Sequence, residues 1–81
     1  MNELRLSVSG QRLMLNRLKV FSTSLEHLIV YKVLQTEGPT SLEELKNILV
    51  GTHVEDRTWT PMLVENVVRE LIRIGTIEEV R

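Results

Sequence analysis

Arg57, Thr58, Thr60, Asn66, Arg69 and Arg73 place three guanidinium groups, two hydroxyls and one primary amide within seventeen consecutive residues. Hydroxyls such as those of Thr58 and Thr60, with the free N–H groups of a helix's first turn, can hold a phosphate at an electropositive helix end. An asparagine amide matches the adenine edge and a guanidinium the guanine edge, which assigns Asn66 and Arg69 as base readers if their face lies in a major groove. These six side chains are therefore candidate contacts for double-stranded DNA. The same residues have a plainer reading. Glu65 precedes Arg69 by four positions and Glu70 precedes Arg73 by three, so a solvated helix face laced with ion pairs would use them equally well.

Bond-making chemistry finds less support. The chain has no cysteine, which excludes a disulfide framework and thiolate metal ligands. His27 and His53 stand far apart without a carboxylate cluster of ligand spacing, so no metal site and no cofactor are expected. His53 is close to Glu55 and Asp56, but no nucleophile elbow, phosphate loop or inward carboxylate pair accompanies it. The sequence reads as a non-enzyme.

Eighty-one residues with a formal net charge of −1 make one small domain with no global pull toward polyanions. The charge is uneven. Arg5, Arg12, Arg17 and Lys19 face only Glu3 up to Phe21, whereas Glu43, Glu44, Glu55, Asp56, Glu78 and Glu79 make the remainder acidic. The N-terminal bases read either as a backbone-binding arm or as solubilising charge. No apolar run approaches the ~20 residues of a membrane span and no signal-peptide core is present. A reduced, cytoplasmic setting without a membrane partner is the expectation.

The candidate contacts need a helix to hold them, and Thr58–Ile77 supplies one. Thr60 is an N-cap, Pro61 fits the first helical position, and Trp59 with Val64 has the spacing of a hydrophobic staple. Trp59 reads as a packing residue rather than a base-stacking platform. Leu63, Val64, Val67, Val68, Leu71, Ile72 and Ile74 make a wide apolar face, Glu65, Asn66, Arg69 and Arg73 share the other side, and Gly75 ends the helix.

Upstream, Leu4, Leu6 and Val8 alternate as in a half-buried strand, and Ser9-Gly10 marks a turn. Gln11–Phe21 fits a helix with Leu13, Met14, Leu18, Val20 and Phe21 on one stripe, or two short strands broken at Asn16-Arg17; its residue types favour helix. Thr23 and Glu26 have capping-box spacing, with Leu25, Leu28, Ile29 and Val33 as the inner face, Val30, Tyr31 and Leu34 beside it toward the N-terminal segment or a second copy, and Gly38-Pro39 as the stop. Ser41 with Glu44 caps a shorter helix, with Leu42, Leu45, Ile48 and Leu49 as its apolar stripe and Gly51 at its end. The stretch from Thr52 to Trp59 reads as a polar loop.

Helix, short link, helix, loop, longer helix, glycine and strand is an order that resembles the winged helix-turn-helix superfamily. Trp59-Thr60-Pro61, the apolar pattern to Leu71 and Arg73-Ile74-Gly75-Thr76-Ile77 resemble the recognition helix of penicillinase-repressor-type regulators. The resemblance implies a mainly α fold with a small β element. A three-helix core would occupy residues 23–81 as the winged helix domain, with a short wing strand, and residues 1–22 would form an N-terminal strand/helix extension. It also implies that the helix over 60–74 enters the major groove.

This chain departs from that pattern at Met62 and Leu63, where the family carries Lys-Thr, and at Glu65 and Glu70, whose carboxylates repel phosphates. No returning second wing strand is expected within these residues, a place that Leu4–Val8 could fill by pairing with Thr76–Val80, in cis or from a second subunit.

Two functions of different class follow. The first is a DNA-binding transcriptional regulator, a homodimer in which Met14, Leu15, Leu18, Phe21, Val30, Tyr31 and Leu34 exceed the needs of a three-helix core. The alternative is a protein–protein interaction module in a larger assembly. A continuous positive patch joining Arg57, Arg69, Arg73 and the N-terminal bases favours the first; acids interleaved among them favour the second.

Overall fold

A computed structural model describes residues 3–7 and 24–80. Its elements are, in order, β1 (Glu3–Leu6), α1 (Leu25–Glu37), β2 (Thr40–Ser41), α2 (Leu42–Leu49), β3 (His53–Val54), β4 (Arg57–Thr58), α3 (Pro61–Arg73) and β5 (Ile77–Val80). The described residues form a small mixed α/β domain: three helices, an antiparallel sheet of order β2-β1-β5, and a separate β3–β4 hairpin.

The longest apolar face belongs to α3. Thr60 Oγ1 accepts the Leu63 N–H at 3.1 Å, and Pro61 takes the first turn, where its missing donor costs nothing. Val64, Val67, Val68 and Leu71 are buried along one side, with Trp59 and Val64 both sealed from solvent at the staple positions. At the other end Thr76 N–H bonds Leu71 C=O and Gly75 N–H bonds Ile72 C=O, the paired bonds of a Schellman turn, with Gly75 at φ 85°. That turn aims the chain directly into β5.

The N-terminal strand completes the sheet in cis. Leu4 lies opposite Glu79 and Leu6 opposite Ile77, while Glu3 and Leu4 also pair with Ser41 and Thr40. Ser7 then fastens the junction of α3 and β5: its N–H donates to Thr76 C=O and its hydroxyl to Gly75 C=O at 2.6 Å. Leu4 and Ile77 are buried in the same cluster as Leu45, Leu49, Val64 and Leu71. The expected pairing of the two terminal segments is met over these residues; Val8 lies outside those described.

Three local expectations are corrected. The inner face of α1 is Val30, Tyr31 and Leu34, not Leu25, Leu28, Ile29 and Val33, since Leu25 is 40% exposed and the other three are half-buried. Apolar residues nearly encircle this helix, so periodicity does not orient it; packing on β1 and α3 does. Buried Val30, Tyr31 and Leu34 are thus core, on a helix that packs on the N-terminal strand β1, rather than spare surface for a second copy. The cap of α1 is Ser24, whose hydroxyl accepts the His27 N–H at 3.3 Å, one residue beyond the expected Thr23.

The polar loop is in fact a hairpin. Val54 and Trp59 anchor it in the core, Gly51 and Thr52 bond Trp59 through the backbone, and Glu55 sits at φ 55° in the turn. Without Gly or Asn at the turn, the hairpin leaves no clear mark in the sequence. By contrast the Ser41 cap on Glu44 N–H forms as expected. Ser9-Gly10, the whole of 11–21 and the bases Arg12, Arg17 and Lys19 lie outside the described residues. So do Met14, Leu15, Leu18 and Phe21.

Candidate interaction surface

The six expected contact residues are all exposed. Arg57, Thr58 and Thr60 sit together in sequence where β4 runs into α3, and Asn66, Arg69 and Arg73 follow one another along the outer side of α3 at intervals of three and four. Their partners differ. Arg57 Nη1 donates to Glu26 Oε1 at 3.0 Å, tying β4 to α1. Thr58 Oγ1 lies 3.2 Å from His53 Nδ1 across the hairpin. Thr60 uses its hydroxyl oxygen as the helix cap.

Arg73 is gripped by the Glu70 carboxylate through two guanidinium nitrogens, with Nε 3.0 Å from Oε2, and that contact raises the guanidinium's pKa further. Asn66 and Arg69 form no hydrogen bond or ion pair with any described residue.

Glu65 does not pair with Arg69. Its Oε1 accepts from Lys46 Nζ at 2.8 Å, a bridge between α2 and α3. The hydrogen bond and charge of Lys46, and secondarily the charge of Arg69, hold the Glu65 carboxyl below its ordinary range. On β1, Arg5 is similarly bound to Glu78 of β5. Arg5, Lys46, Arg57 and Arg73 are therefore each answered by a carboxylate at close range, and Arg69 is not.

Sequence reasoning missed a cleft beside this helix. Leu4, Leu42, Val68 and Ile72 floor a space of about 240 Å3, and Glu65, Arg69 and Glu79 rim it. It joins the start of α2, the outer flank of α3 and the β1–β5 ladder, so its residues come from four separate segments. Ile72, 38% exposed, is the only one whose partial exposure follows from its place at the edge of the α3 stripe. At the start of α3, Met62 projects with 70% of its surface in water. A second apolar hollow, about 400 Å3, lies along α1 between Leu28, Ile29, Val33 and Ile48.

Among the described residues no group of three or more His, Asp or Glu side chains is placed to hold a metal ion. None of their helices is long and apolar enough to cross a membrane. No family model, curated protein or solved structure matches the chain.

Proposed function

We propose that this chain is a small protein-interaction module of winged-helix type, which presents the outer flank of α3 to a partner protein. The observation carrying the reading is the interleaving of charge: Lys46 with Glu65, Arg57 with Glu26, Arg73 with Glu70. The full chain carries eleven acidic against ten basic side chains, so no global electrostatic pull draws a polyanion to it. Exposed Met62 and Ile72 on the same helix suit an apolar contact instead. The winged-helix assignment rests on the order of the three helices and on β1, which runs antiparallel to β5 where a returning wing strand would lie. A photo-crosslinking residue at position 62 tests the reading. The captured protein, once purified, should bind the wild-type chain and bind Met62→Glu more weakly; loss of specific capture counts against it.

The reading as a DNA-binding regulator keeps one observation in its favour. Asn66 and Arg69 are exposed on α3 and engaged by no described residue, in a helix whose capped start carries Thr58 and Thr60 nearby. Under that proposal Arg57, Thr58, Thr60 and Arg73 contact the backbone while Asn66 and Arg69 read bases. A titration with mixed-sequence duplex at low salt decides between the two. Saturable binding that weakens with salt and with Arg69→Ala supports the regulator, and a flat response supports the protein module. A homodimer is compatible with either reading, through the apolar outer row of α1.

A further inference from the structure

Resting on the protein-docking reading, we infer that the cleft between α2, α3 and the β1–β5 ladder receives an amphipathic, basic segment of the partner, with one apolar side chain seated on its floor. The floor is apolar throughout: Leu4, Leu42, Val68 and Ile72. A volume of about 240 Å3 falls below the usual range for drug-sized ligands and suits a single large side chain.

The rim decides the sign of the partner. The Glu79 carboxylate lines the cleft and is bound to no described residue, and Glu65 lines it with one oxygen held by Lys46 and the other unengaged. Glu43 follows Leu42 in the exposed first turn of α2 and adds negative charge beside the lining. Arg69 is the single cation on the rim. It offers a carboxylate of the partner one fixed place, which sets register rather than overall sign. A segment with a leucine-like anchor flanked by lysine or arginine answers this pattern, whereas an acidic segment meets the carboxylate of Glu79 and the unengaged oxygen of Glu65.

Two synthetic helical peptides with the same leucine stripe test the inference, one with lysine at every polar position and one with glutamate. The lysine peptide should bind the full chain at least about tenfold more tightly than the glutamate peptide, more weakly as salt rises. Amide shifts should gather at Leu4, Leu42, Val68, Ile72 and Glu79. Glu79→Gln should weaken binding about twofold to fivefold, in line with a rim charge, and Ile72→Ser about tenfold, as loss of an anchor contact. Both side chains are exposed enough for the fold to survive, which unchanged spectra would verify. Equal affinity for the two peptides, binding by neither, or shifts confined to the α1 hollow overturns the inference. A captured partner that docks on Met62 through an acidic segment would overturn it too while leaving the protein-docking reading intact.

Discussion

Lys46 Nζ stands 2.8 Å from Glu65 Oε1, and this one bridge joins the middle of α2 to the polar side of α3. It removes from the α3 surface the carboxylate that local spacing assigns to Arg69. Arg69 is left on the cleft rim with no described partner, which makes it the most available cation on the helix.

The bridge predicts a pH signature. The Glu65 carboxyl titrates below its unfolded value, so its contribution is fully present above the unfolded pKa and is lost as pH falls through the lower, folded one. Lys46→Gln removes the chief cause. The melting temperature of that variant should fall less steeply than wild type on acidification below about pH 4.5, the ordinary glutamate range, with the two curves converging in strong acid. Parallel melting curves across that range would contradict the assignment.

Trp59 is 1% exposed, and its indole N–H makes no hydrogen bond to a described residue. Its value is therefore in packing. Trp59→Ala should cost about 3–5 kcal/mol, whereas Trp59→Phe, which keeps a ring and removes the unmatched donor, should cost far less. Denaturant melts of the two variants give the comparison.

Both ends of α3 are held by local chemistry that can be removed singly. Thr60→Ala should lower stability by about 1 kcal/mol through loss of the cap, and Thr60→Ser should restore most of it. Gly75→Ala forces a Cβ into a left-handed backbone at φ 85° and should cost about 1–2 kcal/mol. Equilibrium unfolding reads both, and an unaffected Gly75→Ala would mean that the Schellman turn relaxes.

The apolar surface of α1 and the neighbouring Ile48 of α2 offer a separate test of self-association. Leu25 and Ile48 are among the large apolar side chains most exposed in the described residues. If a second copy covers this face, Leu25→Lys with Ile48→Lys should shift sedimentation toward the monomer without lowering helix content. An unchanged sedimentation profile for a dimeric wild type would place the interface elsewhere.

The α3 helix was legible from residues alone because its determinants are local: a hydroxyl and proline at one end, a glycine at the other, and an apolar pattern with one dominant side. The two short-range caps of α2 and α3 follow for the same reason. Even the pairing of the terminal strands was foreseeable, since alternating Leu4 and Leu6 and the β-prone tail after Gly75 are the two clear strand patterns in the sequence; the further pairing of β1 with Thr40 and Ser41 was not.

What the chain alone left open is decided by contacts between residues distant in sequence. Which side of α1 faces inward depends on where β1 and α3 lie, because apolar residues surround that helix and its own period carries no preference. Glu65 takes Lys46 over Arg69 because α2 crosses α3 at that level, a fact absent from any local window. The cleft needs Leu4, Leu42, Val68 and Glu79 brought together from four segments. Sequence determined the rods and their ends; only tertiary packing decided which charges remain unanswered and where an apolar floor meets water.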